Sequence, residues 1–369
     1  MRLYPQIGAL DNLIQRQSMN PELLEFYSPA YRLKRPFNGQ LNSDFQEKLK
    51  QCHTGKSEAD CHFYHTLDLG NGRIIPGGWD IRGNEHNYLG HVDFKNQRVL
   101  EFGCASGYLS FWIEQQGADV VSLDLPPGFP PDLVPLPNID LKANGESGAV
   151  TATQVRNSWW FGHEALKSRA SALYADIYNL PSDIGRFDIS TFGSILLHLS
   201  NPFRAMQEAA AVTDKALIVT DLLPDIIYGA DQNSFVEFNP GEEPTNLVNW
   251  WRCNPSAITK MFRVLGFPHV DIHYFENKYH PYHKTDVPPV TRFMFAAVGQ
   301  RTPNALTRVE KKSADIEKDA ELRKLVPVIH VDNYNDAHRR LKDAEDKLGR
   351  IYSSLFWKIT KPIRALIGL

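Results

Sequence analysis

Between residues 98 and 300, short apolar runs alternate with stretches whose apolar positions recur at helical spacing, and this alternation predicts an α/β architecture. Strands are predicted at Arg98–Phe102, Asp119–Leu123, Ala172–Ala175, Phe187–Thr191, Lys215–Thr220, His269–Tyr274 and Thr291–Val298. Helices are predicted at Gly107–Gln116, Pro202–Val212 and Pro255–Leu265, the last closed by Gly266 as its C-cap. Seven strands whose last pair lacks an intervening helix imply a mostly parallel sheet with one antiparallel strand. Residues 1–95 read as a loop-rich cap, broken by Pro5, Pro21, Pro29, Pro36 and the Gly70–Gly72 and Gly77–Gly78 pairs. The connection 125–170 is longer than such a fold needs. Pro126, Pro127, Pro130, Pro131, Pro135 and Pro137 stiffen its first half and Trp159-Trp160-Phe161 close it, which suits a lid, an acceptor site or a packed excursion.

Beyond Thr302 the pattern changes again. Residues 305–325 are charged and helix-prone, and 326–333 form a break containing Pro327. Ala337, Leu341, Ala344, Leu348, Ile351 and Leu355 then make a short a/d seam, read either as a coiled coil or as a helix packed on the body. Three parts follow: a cap over 1–95, a catalytic domain over 96–300 and a helical tail over 301–369.

Charge divides along the same line. Of 369 residues, 40 are Lys or Arg and 43 Asp or Glu, a net of −3; the tail carries +5 and the rest −8. The overall balance argues against bulk electrostatic binding of nucleic acid. Lys358, Lys361 and Arg364 recur among Leu, Phe, Trp and Ile, so the end of the tail suits an anionic membrane surface or, more plainly, the protein's own body. No apolar run is long enough to span a bilayer and the first ten residues lack a signal peptide's apolar core, so a cytoplasmic protein is expected, peripheral on the inner membrane face where the basic tail meets lipid. Four scattered cysteines exclude a disulfide scaffold. Cys52-His53, Cys61-His62 and His65 lack zinc spacing, so no metal is assigned, although Asp188 and Asp221 leave a catalytic Mg²⁺ open.

The chemistry concentrates in residues 98–124. A strand runs into Glu101-Phe102-Gly103-Cys104-Ala105-Ser106-Gly107, a helix follows at once, and the next strand ends on Asp124. Glycines let backbone approach a ligand, and an acid at the second strand's tip can hold the two hydroxyls of a ribose. A dinucleotide fingerprint would read G-x-G-x-x-G. Here an acid precedes the first glycine by two, which repels pyrophosphate but suits an amino group.

This pattern resembles the first motif of the class I S-adenosylmethionine-dependent methyltransferases. The resemblance spans about 98–300 and implies a Rossmann-like, seven-stranded sheet with S-adenosylmethionine held by Glu101, Gly103, Cys104, Ala105, Gly107, Asp124 and Leu125. It places the adenine beside Asp176 and Ile177; a local turn-capping role for Asp176 stays open. A narrower resemblance, to proteins grouped with the tRNA wobble-uridine carboxymethyltransferases, rests on His65–Gly70, Pro76–Asp80, Leu197–Pro202 and Trp250, Trp251 and Asn254-Pro255. Leu197 stands where that enzyme has a tyrosine for a carboxylated cofactor, which favours ordinary S-adenosylmethionine. Residues 353–364 resemble a terminal motif of bacterial O-antigen and capsule enzymes.

These likenesses imply O-methylation of a sugar hydroxyl on a glycan or lipid-linked saccharide; read as a coiled coil, the seam of the tail would pair two chains. Wobble-uridine modification of tRNA and a non-catalytic adaptor role are the alternatives. A sugar hydroxyl is a poor nucleophile and needs a base. His198, just past the fourth strand, is the first candidate. Asp221 either orients it or acts itself, and structural roles for both stay open. Trp79 and Arg82 are expected at the methionine end of the cofactor, and His65, Trp250, Trp251 and Arg252 at the acceptor.

Overall fold

The computed structural model describes residues 47, 49–51, 53–70, 72–181, 184–223, 234–240, 247–280 and 288–324. Both the predicted seam and the basic end of the tail lie outside them. A short 3-10 turn (Glu58–Asp60) precedes three two-residue strands, β1 (Leu67–Asp68), β2 (Ile74–Ile75) and β3 (Trp79–Asp80), and the short helix α1 (Glu85–Tyr88). The sheet then builds through β4 (Arg98–Phe102), α2 (Tyr108–Gln115), β5 (Asp119–Asp124), α3 (Leu141–Leu166), β6 (Ser171–Tyr174) and β7 (Phe187–Gly193). Helix α4 (Pro202–Val212), β8 (Thr213–Leu222), β9 (Val236–Phe238), β10 (Trp251–Cys253), α5 (Pro255–Val264), β11 (His269–Tyr279) and β12 (Val290–Gln300) follow, β9 and β10 pairing with each other outside the main sheet, and residues 313–324 are helical.

The main sheet has eight strands in the order β3-β11-β12-β8-β7-β4-β5-β6. Strands β6, β5, β4, β7 and β8 run parallel, and β12 pairs antiparallel with both β8 and β11. This is the expected Rossmann-like sheet with one addition. Strand β3 of the cap pairs antiparallel with β11, Lys278 opposite Asp80 and Tyr279 opposite Trp79, and lengthens the edge. The strand order reverses between β4 and β7, and open α/β sheets bind ligands outside the carboxyl ends at such a point.

Alternation along the strands fills two cores. Val99, Ala216 and Ile218 face the side covered by α2, α3 and the cap, whereas Leu100, Phe102, Leu217 and Val219 face α4 and α5. Helices α4 and α5 start where the sequence places them because each opens on Asn-Pro. Asn201 Oδ1 accepts from the Arg204 amide at 3.1 Å and Asn254 Oδ1 from the Ala257 amide at 2.8 Å. Gly266 follows α5 at φ +86°, as its C-cap role requires.

The long connection resolves into a packed excursion. It is a proline-rich strap followed by the 26-residue helix α3, whose Asp140 caps the amides of Lys142 and Ala143. Trp159, 1 % exposed, lies against the turn before α2: a Cβ on Gly107 would sit 2.6 Å from its ring, and its indole N–H donates to Ser110 Oγ at 3.3 Å. Replacing Trp159 with Ala is expected to cost about 3–5 kcal/mol in urea unfolding. Val264→Ser, at a site 75 % exposed, should stay within about 0.5 kcal/mol.

Candidate active site

At the carboxyl end of β4 the chain turns sharply into α2. Gly103, Ala105 and Gly107 all have positive φ, at +71°, +47° and +84°, with ordinary φ at Cys104 and Ser106 between them. The turn is closed by its own backbone, the Gly103 and Cys104 amides donating to the Leu123 carbonyl at 2.8 and 3.4 Å and the Gly107 amide to the Cys104 carbonyl at 2.9 Å. No side chain fits at the two glycines. A Cβ on Gly103 would lie 2.7 Å from Ile195, in the loop after β7, and one on Gly107 would strike Trp159 and Phe111.

Asp124, at the tip of β5, braces this turn. Its Oδ2 accepts from the Ala105 amide at 3.0 Å and from Cys104 Sγ at 3.6 Å, and its Oδ1 from the Leu125 amide at 2.7 Å. Burial raises the Asp124 carboxyl above the ordinary range, while the Leu125 amide, the Arg156 charge and the Ala105 amide pull it down. Glu101 faces the other way. Its carboxyl is 3 % exposed and Oε2 is held by Ser110 Oγ, with Ser122 Oγ at 3.5 Å, so the acid ties β4 to α2 and β5. Burial pushes it up to about 8, the Ser110 bond opposing. Asp176, expected beside adenine, accepts from the Tyr178 amide at 2.9 Å, the local turn bond left open by the sequence, and Ile177 next to it is buried.

The cap reaches the same edge. The His65 amide donates to Ser106 Oγ of the turn at 2.9 Å, and its ring, lowered to about 4 by burial, has an Nδ1 with no hydrogen bond. Trp79 lies tilted at 44° against Tyr279, centroids 4.8 Å apart, and hydrogen-bonds Tyr64, whose hydroxyl burial pushes up to about 12. Arg82 is engaged by a neighbour: its fork meets Asp80 at 2.8 and 2.7 Å. That pairing is two residues away in sequence, and it uses the geometry expected to serve the cofactor carboxylate.

Beyond the switch point lies a second group. Asp221, 5 % exposed at the end of β8, accepts from the Leu222 amide at 2.8 Å. Burial pushes its carboxyl up to about 7, against the pull of the Leu222 amide and the Arg252 charge. Tyr88 meets Ser194 Oγ at 3.1 Å just beyond β7. His198 occupies a short 3-10 turn, and its Nδ1 lies 2.8 Å from the Val248 carbonyl, so the ring donates there. Burial lowers the imidazole, partly offset by its bonds to Val248 and Asn249. Asp221 and His198 share no hydrogen bond; Val248, fifty residues along the chain, orients the histidine instead.

Trp250 and Trp251 spend their indole N–H groups on the Asp132 and Ser200 carbonyls, at 2.9 and 3.1 Å. Their faces remain half-buried, and Trp251 packs against exposed Phe238, 5.0 Å between centroids. The proline strap is fastened above this edge by Asp132, which accepts from the Tyr178 hydroxyl and from the Ser200 amide and hydroxyl, both at 2.8 Å. Sequence reasoning missed Tyr64, Tyr88, Asp132, Arg156, Ser194 and Tyr279. Among them only Arg156 carries a sequence signal, a charge on the apolar stripe of α3. A cavity of about 610 Å³ lies at the opposite, amino-terminal strand edge, among Arg98, Glu114, Asp119 and Arg169. Among the described residues no cluster of His, Cys, Asp or Glu is placed to hold a metal, and no helix is long and apolar enough to cross a membrane.

No protein-family model matches the chain, and no curated protein matches it. Among solved structures it is similar to the 1,6-didemethyltoxoflavin-N1-methyltransferase of Burkholderia thailandensis, at 14 % identity over 60 % of this chain and 78 % of that one, with a TM-score of 0.37. Magnesium protoporphyrin IX methyltransferase from Synechocystis PCC 6803 with bound SAH gives 15 %, 57 %, 76 % and 0.34. The N-terminal domain of EvdMO1 with SAH and D-fucose gives 12 %, 71 %, 98 % and 0.36. Likenesses this distant bear on neither cofactor nor substrate.

The raised carboxyls have a measurable consequence. A carboxyl held above its unfolded value binds its proton more tightly when folded, so stability falls as pH rises between the two values. The stability of the wild type to urea, relative to that of Glu101→Gln, should therefore decline from about pH 5 to pH 8, the buried neutral histidines acting equally in both. A difference that stays constant with pH would show that Glu101 ionises freely.

Proposed function

We propose that the protein is an S-adenosylmethionine-dependent methyltransferase that acts on a saccharide hydroxyl. The reading rests above all on the left-handed turn at the switch point, braced from β5 by Asp124. The residues there fit a nucleoside. A carboxylate offers about four acceptor sites, and Asp124 spends three, leaving Oδ1 able to accept a ribose hydroxyl. The unpartnered His65 Nδ1 supplies a further contact.

When bound, S-adenosylmethionine supplies a methyl group activated on a sulfonium. The chain's own task is to align the acceptor, exclude water and accept a proton. Asp221 is the base favoured by its place: a carboxyl poised near neutrality at the end of β8, with Arg252 close enough to influence it. His198 stands second. Its Nδ1–H is committed to Val248, which leaves Nε2 as an acceptor. Tyr64, Trp79 and Tyr279 on one side and Trp251 on the other offer aromatic faces suited to a sugar ring.

Calorimetry should detect S-adenosylmethionine or its demethylated product, and Asp124→Ala should weaken binding by about 1–3 kcal/mol. Turnover should rise with pH through about 7; Asp221→Asn should lose that limb and about 10²–10⁴ of rate. Labelled methyl offered to lipid-linked glycans and to total tRNA separates the acceptors. Absence of binding to both cofactor forms overturns the reading, and transfer into tRNA overturns the saccharide.

A further inference from the structure

Helix α3 buries Gly145, Ala149, Arg156, Trp159 and Trp160 along one stripe. An arginine does not belong there by hydrophobic patterning, and a position that breaks the pattern of its own element calls for a reason. Arg156 is 6 % exposed. Its Nη2 donates to the Leu125 carbonyl at 3.1 Å, its guanidinium lies 5.1 Å from the Tyr174 ring centroid, and its Nε has no hydrogen bond. Among the described residues it forms no ion pair. A buried guanidinium costs several kcal/mol unless a counter-charge meets it. The acid its field reaches is Asp124, adjacent to the residue whose carbonyl it holds.

We propose that Arg156 is a positioning residue for the nucleoside end of the cofactor: from α3 it fixes the Asp124–Leu125 corner and keeps the Asp124 carboxylate ionised, ready to accept a ribose hydroxyl. This deepens the methyltransferase reading and rests on it. The corner is otherwise hostile to a negative charge. Glu101 on β4 adds acid nearby, the Cys104 thiol is pushed up by burial, and His53, stacked 5.3 Å from Trp160 and lowered to about 3 by burial, contributes no cation. The Tyr174 hydroxyl on β6 accepts from the Trp160 indole N–H at 2.8 Å, and the ring face of Tyr174 meets Arg156. Arg156 is thus the cation the corner relies on.

The test combines a ligand-free readout with a binding one. The carboxyl carbon of Asp124 is titrated by NMR in wild type, Arg156→Met, Arg156→Gln and Arg156→Lys, and S-adenosylhomocysteine binding is measured by calorimetry at a pH midway between the wild-type and Arg156→Met midpoints and at about pH 9. Arg156→Met should raise the Asp124 midpoint by about one unit or more and weaken binding about threefold or more at the lower pH, the loss shrinking at the higher. Arg156→Lys should restore the wild-type midpoint. Arg156→Gln, which keeps a donor for Leu125 without the charge, gives the same shift where Arg156→Met fails to fold. An unmoved midpoint, or a loss of binding equal at both pH values, overturns the proposal. A wild type whose midpoint depends on Arg156 but which binds no S-adenosylhomocysteine overturns the cofactor reading and the positioning role with it, so the two failures are told apart.

Discussion

The carboxylate of Asp124 links two elements that the sheet brings side by side, the tip of β5 and the left-handed turn between β4 and α2. Three residues with positive φ in a span of five make a turn that is costly for L side chains at Ala105 and open only to glycine at 103 and 107. Hydrogen bonds from the Ala105 amide and Cys104 Sγ to one oxygen hold that turn in place. The parallel register of β4 and β5 sets the distance, with Phe102 opposite Leu123. Helix α2, the contact of Gly103 with Ile195 and the packing of Trp159 over Gly107 all follow from where the turn is held.

Around this point the inserted segment after β5 does two jobs. Its helix closes one face of the sheet with Trp159 and Trp160 and delivers Arg156 beside Asp124. Its proline strap is drawn across the carboxyl ends of the strands by Asp132, bonded to Tyr178 after β6 and Ser200 after β7, and by Val134, whose amide meets the Leu247 carbonyl at 2.8 Å. Proline-rich backbone has few donors to satisfy and little entropy to lose, which suits a segment held by a handful of bonds at its edges. The cap takes the opposite flank, with β3 joining the sheet and His65 bonded to the turn.

The parallel strands and helices α4 and α5 were legible in sequence because their signals are local: apolar runs of strand length, and Asn-Pro starts that cap within three residues. Helix α3 was not. Glycines at 145, 148 and 162 and a polar outer face blur its period, and burial against α2, not propensity, makes it a helix. Strand β3, two residues long, has no pattern of its own to read. At the site, Gly103, Gly107 and Asp124 could be placed from spacing alone, since motif and strand ends fix them. The partners of Arg82, His198 and Glu101 could not. Arg82 turned to Asp80, His198 to a carbonyl fifty residues away and Glu101 to two interior serines, because each pairing depends on side-chain direction after packing. Tyr64, Tyr88 and Tyr279 converge only once β3 and β11 are joined, so no linear motif announces them.

A crystal structure of the protein with S-adenosylhomocysteine addresses the account at its centre. The expected result is a ribose hydroxyl about 2.6–3.2 Å from Asp124 Oδ1, the backbone of 103–107 against the ligand, and its sulfur turned toward Asp221. A ligand bound at the amino-terminal edge of the strands, or one that leaves Asp124 bonded only to the turn, would contradict it.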